Sequence, residues 1–178
     1  MAADPLDAFL TATDLDQLAD AYDALAAGPD RTGRSTAIIR SWSDPQAVAN
    51  LLMYPQLLPD AERTDALLRG LRDDGYLRLA AAVGVGVLQA DHLEDGVRRA
   101  VLDALLDLVA GDAGPAGIRA AAEIGPLIRA EEVDLLDDLD GHPVDATRHN
   151  LTQARLGLTA PAEQVPVLLP YLANYGER

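Results

Sequence analysis

Residues 76–88, YLRLAAAVGVGVL, and residues 117–128, GIRAAAEIGPLI, carry the same parts in the same order: an apolar residue, an arginine, a run of alanines, then glycine among aliphatics. Two readings compete. The glycines could belong to a dinucleotide-binding loop, or the two runs could be one structural part used twice. A dinucleotide fingerprint needs G-x-G-x-x-G after a strand and before a helix. Gly84 and Gly86 instead come late in an alanine-rich run and lack a third glycine at that spacing. Both segments therefore read as helices, in which small residues let a neighbouring helix approach closely, at a propensity cost of about 1 kcal/mol per glycine.

What precedes each run supports this. DAERTDALLRGLR (60–72) and the turn DDG lead into the first, and DGVRRAVLDALLDLV (95–109) and the turn AGDAGPA lead into the second. A third pair follows: EEVDLLDDL (131–139), the turn DGHP, and VDATRHNLTQARLGL (144–158). Each first helix carries a leucine pair (Leu67 and Leu68, Leu105 and Leu106, Leu135 and Leu136), and each second helix an early arginine (Arg78, Arg119, Arg148). The leucine pairs recur after 38 and 30 residues and the arginines after 41 and 29. Such spacings fall in the range of helical-hairpin repeats.

Upstream, Leu6, Phe9 and Leu10, then Leu15, Leu18, Ala19, Tyr22 and Leu25, fall at three- and four-residue steps, giving two helices with Asp14 or Thr13 as a cap for the second. AAGPDRTGR (26–34) reads as a loop and as the joint between an N-terminal helical extension, residues 1–30, and a repeat domain, residues 31–178. STAIIRSW and DPQAVANLLMY read as two short helices, the second capped by Asp44 with Pro45 in its first turn. AEQVPVLLPYLANYG, interrupted by Pro166 and Pro170, suits a terminal capping helix.

These features resemble HEAT repeats, the antiparallel helix pairs that stack into an α-solenoid. The matching residues are Asp73 or Asp74 with Leu77, Arg78 and Ala80; Asp112 with Ile118, Arg119 and Ala121; and Asp138 or Asp140 with Val144 and Arg148. The likeness covers residues 60–158 and extends to 35–58 as a degenerate copy. The third copy departs from it, with His149 and Asn150 where alanines are expected. The resemblance implies an all-α fold of antiparallel hairpins stacked as a short HEAT-like α-solenoid, with an irregular helical bundle as the alternative. It also implies that Arg78, Arg119 and Arg148 form a ladder with turn aspartates between successive repeats.

Composition agrees with a helical core: 49% of residues are hydrophobic, but there is one Phe, one Trp and five Tyr. Acidic residues number 29 against 14 basic ones, all Arg, for a formal charge of −15. That field repels phosphate backbones and anionic lipid heads, so neither nucleic acid nor membrane is an expected partner. A GC-rich genome or a salt-adapted proteome would account for the same bias. The chain has no Cys, hence no disulfide and no thiolate chemistry. It shows no signal-like segment or long uncharged apolar run, which points to a soluble cytoplasmic protein.

No catalytic constellation stands out. G-x-S-x-G is absent, and so is the His-Glu dipeptide that HEAT-type iron enzymes repeat. Base-excising HEAT proteins use basic surfaces, which this charge disfavours, whereas the motifs of HEAT-like bilin lyases are too loose to exclude. His92 lies in the acidic DHLED stretch. Asp145 and His149 stand four residues apart on one helix face and are the weak candidates for metal ligands, although a solvated acidic turn explains them as well. The expected function is a non-enzymatic interaction protein, a scaffold or adaptor without a cofactor, that binds a protein or peptide partner carrying a basic segment. Candidate contact residues are Arg78, Arg119, Asp145, Arg148 and His149, with Trp42, Tyr54, Tyr76, Tyr171 and Tyr175 as aromatic anchors. The alternative is a ligand- or metal-binding accessory protein, or an enzyme of the HEAT-like lyase type, with a pocket near His142 and His149. Self-association as a homodimer through open solenoid ends is a third expectation.

Overall fold

The computed structural model describes residues 4–25, 32–88, 90 and 93–159. Among them every regular element is helical and no strand occurs. In chain order these are α1 (Pro5–Thr11), α2 (Leu15–Leu25), α3 (Thr32–Ser41), α4 (Pro45–Met53), the short 3-10 helix η1 (Pro55–Leu57), α5 (Asp60–Leu71), α6 (Tyr76–Val85), α7 (Asp95–Gly111), α8 (Pro115–Glu123), a second 3-10 helix η2 (Ala130–Leu139) and α9 (Asp145–Leu158). The all-α class follows from the composition.

Caps set the boundaries. The Asp44 carboxylate accepts from the amides of Gln46 and Ala47, each at 3.1 Å, with Pro45 in the first turn of α4. Asp14 accepts from Gln17 at 2.8 Å at the start of α2, so Asp14 rather than Thr13 is the cap, and Asp4 does the same for α1. These side chains satisfy amides that a helix start leaves without partners. α3 begins at Thr32, inside the stretch expected to be loop.

The chain divides into two compact units, Met1–Ala104 and Leu105–Arg178. In the first, α1 packs on α2 and α4, α3 on α4, α4 on α6, and α5 on α6. Phe9, Leu18, Val48, Leu51, Leu52, Leu58 and Leu67 are completely enclosed. Phe9 stands edge-on to Tyr54 at 5.6 Å, and Tyr54 lies 4.6 Å from Tyr22, so three of the few aromatics close this core.

Gly84 and Gly70 decide how closely these helices approach. A Cβ on Gly84 would stand 1.9 Å from the Leu52 carbonyl oxygen and 2.9 Å from Leu67 Cδ2. One on Gly70 would stand 2.8 Å from both the Ala81 Cβ and Leu52 Cδ1. The end of α4 thus rests directly on the backbone of α6 and on α5. The glycine at 84 marks a close helix approach, as read from the sequence, and not a phosphate loop.

Asn50, 1% exposed, joins α1 to this core. Its amide donates to the carbonyls of Phe9 at 2.8 Å, Ala12 at 3.0 Å and Leu10 at 3.3 Å, while its oxygen accepts from Gln46 at 3.1 Å. These carbonyls close the end of α1, where that of Phe9 also accepts from the Ala12 amide at 3.4 Å and that of Ala12 from the Gln46 side chain at 2.9 Å. The N-terminal helices, expected as an extension, are bound into the first unit by this cap.

In the second unit α8 packs on α9 and α9 on η2, around Leu105, Ala120, Ala121, Ile124 and Leu136. Asn150 donates to the Ile118 carbonyl at 3.0 Å, fastening α9 to α8 at one of the positions where alanine was expected. The segment 131–139, expected as an α-helix, lies in the ten-residue 3-10 helix Ala130–Leu139. At three residues per turn, Val133, Leu136 and Leu139 line one face, and Leu136 and Leu139 are buried.

The two echoing segments differ in detail. α6 ends at Val85, where the amides of Gly86, Val87 and Leu88 turn back to the carbonyls of Val83, Gly84 and Val85. α8 begins two residues before Gly117 and stops at Glu123, because Gly125 and Pro126 follow and proline carries no amide proton. Gly117 answers a contact in its own hairpin turn: a Cβ there would lie 1.8 Å from the Asp112 carbonyl oxygen.

Candidate functional site

The arginines singled out by the repeat are used locally. Arg78 donates through Nε to the Asp73 carbonyl at 3.1 Å and pairs with Asp74 at 2.9 Å. Arg148 donates to the His142 carbonyl and pairs with Asp145. Each therefore ties its helix to the turn just before it. Arg119 instead reaches forward along α8 to Glu123 at 2.5 Å. Glu123 is partly enclosed, and this burial raises its carboxyl above the ordinary range, with the Arg119 charge opposing the rise.

His142, 8% exposed, is a structural residue. Val144 N donates to its Nδ1 at 3.2 Å, so Nδ1 carries no proton and Nε2 donates to the Val109 carbonyl at 3.1 Å. Both ring nitrogens are engaged, and the acceptor lies in the last turn of α7. His149 is exposed, as is Asp145. Among the described residues no three His, Asp or Glu side chains are placed to hold a metal ion. His92, Tyr171 and Tyr175 lie outside the described residues.

An interaction not read from the sequence centres on Arg155, which bridges from α9 to η2. It lies 3.0 Å from Asp137 and 2.9 Å from Asp140. No periodic signal marks it, since the acids stand 18 and 15 residues upstream.

A cleft lies between α3 and α5. It has a volume of about 250 Å³ and is lined by Ile39, Arg40, Trp42, Glu62, Asp65, Ala66 and Arg69. Trp42 ends α3 with a φ of 52°, a left-handed conformation costly for a bulky residue. Two contacts hold it there. Its indole Nε1 donates to Asp73 at 2.7 Å, and the Arg69 guanidinium lies 4.0 Å from the ring centroid. Arg40 pairs with Glu62 across the cleft. Of the other anchors, Tyr54 belongs to the aromatic core, and Tyr76 is half exposed at the start of α6.

A larger cavity, about 580 Å³, lies between Pro55, Asp60, Arg63 and the apolar Val87, Leu88 and Leu93. Arg63 is committed there to the carbonyls of Pro55 and Leu58, at 3.0 and 3.1 Å, and to Asp60 at 2.9 Å. No helix among the described residues is long and apolar enough to cross a membrane. Comparison with family models, curated proteins and solved structures returned no match.

Proposed function

We propose that this chain is a non-enzymatic protein-binding module, a cytoplasmic scaffold or adaptor made of HEAT-like hairpins, that takes its partner through a basic segment. One observation carries the reading: at least eight of the fourteen arginines are paired with carboxylates of this chain, while the acids outnumber the arginines about two to one. Arg34, Arg40, Arg63, Arg78, Arg99, Arg119, Arg148 and Arg155 all pair with carboxylates of this chain. With 29 acids against 14 arginines, the remaining carboxylates set the field that an approaching partner meets.

Support for the hairpin architecture is confined to the first unit. There α5 and α6 form a hairpin, and α4 packs on α6 through Gly84, the kind of contact that stacked hairpins make. Calorimetric titration of the full chain with acetylated hexa-arginine, hexa-glutamate and hexa-serine amides tests the function. Saturable binding to hexa-arginine alone, weakening as salt rises, is expected. Equal heats with hexa-serine, or no saturable binding to hexa-arginine, would overturn it.

A further inference from the structure

We propose that the Trp42 cleft is the seat for one arginine side chain of a basic partner segment. This rests on the reading of the protein as a binder of basic segments, and adds the residues that receive the side chain. Three observations point to a guanidinium. First, the protein already places one on this ring: Arg69 lies 4.0 Å above the indole of the half-buried Trp42, so the ring is one that receives a flat cation. Second, carboxylates in the cleft can take a new cation. Asp65 makes no hydrogen bond or ion pair with any described residue, and Glu62 is held by Arg40, whose side chain is 68% exposed. Exposed pairs of that kind contribute little, so an incoming guanidinium displaces Arg40 readily. Third, the ring is fixed before binding: the 2.7 Å bond from Nε1 to Asp73 holds Trp42 in place, so little ordering remains to oppose association.

Ile39 and Ala66 line the cleft beside Trp42 and suit the aliphatic stem of the incoming residue, leaving its planar fork to Asp65 and Glu62. A planar fork pairs with carboxylates and stacks on a ring, whereas an ammonium does so less well, so arginine is favoured over lysine.

Trp42 is the only tryptophan, so its fluorescence reports on this cleft alone. The full chain is titrated with acetylated hexa-arginine and hexa-lysine amides, following fluorescence and, in parallel, calorimetry. Three proteins are compared: wild type, the E62Q/D65N double variant, and D134N/D138N, which removes the same charge from exposed positions of η2. All three are first shown to melt alike. The expected result is a saturable fluorescence change in wild type, binding at least tenfold weaker in E62Q/D65N and less than threefold weaker in D134N/D138N, with hexa-lysine weaker than hexa-arginine. Equal weakening in the two variants would overturn the seat. So would calorimetric binding without a fluorescence change, which leaves the wider reading standing. Absence of calorimetric binding would overturn both.

Discussion

Replacing Gly84 with alanine sets two effects of known sign against each other. Gly84 lies inside α6, where alanine is the better helix former by about 1 kcal/mol. Against that, the new Cβ would be built 1.9 Å from the Leu52 carbonyl oxygen and 3.0 Å from its carbon. The obstacle is backbone, near the end of α4, and no side-chain rotation relieves it. Overpacking of this kind costs about 1–3 kcal/mol, and a backbone clash belongs at the upper end, so the net loss is about 2 kcal/mol. For a chain of this size that is a fall in Tm of about 4–8 °C. Gly96→Ala is the control, because its Cβ meets nothing within 4 Å and only the propensity gain remains. Thermal melts followed by Trp42 fluorescence report on the first unit directly. If Gly84→Ala melts at or above the wild-type temperature, the close approach of α4 to α6 is wrong.

Further outcomes follow from Asn50 in the first unit and from Glu123 and Arg119 in the second. Asn50→Ala removes the buried amide shared by the carbonyls of Phe9, Leu10 and Ala12, leaving the first and last with only the Ala12 amide and the Gln46 side chain, and should cost about 1–3 kcal/mol in chemical denaturation, with faster amide exchange in α1 than elsewhere in the first unit. Carboxyl NMR should find Glu123 titrating above the ordinary glutamate value of about 4.3, because burial disfavours its anion. A folded value above the unfolded one means that its contribution to stability is full below the unfolded value and is lost as pH rises through the folded one. Removing the opposing charge in Arg119→Ala should raise the Glu123 value further, and a fall would refute the assignment of causes.

Much of the helix pattern was legible because amphipathic spacing and caps are local. Asp44 with Pro45, Asp14, and the hairpin of α5 with α6 all lie where side-chain chemistry within a few residues specifies them. Gly84 was legible in kind, as a small residue at a helix contact, although nothing local names Leu52 as its neighbour. The misreadings arise where distant residues decide. Residues 131–139 carry apolar side chains at three-residue spacings that suit an α-helix and a 3-10 helix alike, so nothing within the segment separates them. His142 drew attention as a ligand, yet its environment is two backbone groups, Val144 N and the Val109 carbonyl, which no sequence pattern marks. Asn50 reads as an ordinary helix residue until α1 is placed over it. Trp42 was named as an anchor from its aromatic character alone. Its clamp by Asp73 and Arg69 depends on bringing the turn after α5 beside the end of α3.

The central claim is that an uncompensated acidic surface brings a basic segment to this protein, and the association rate tests it most directly. Stopped-flow mixing of the full chain with hexa-arginine peptide, read by Trp42 fluorescence, should give a rate constant that falls at least tenfold between about 20 and 500 mM salt, because screening shortens the reach of the field. The dissociation rate should change much less. An association rate independent of salt would contradict the account.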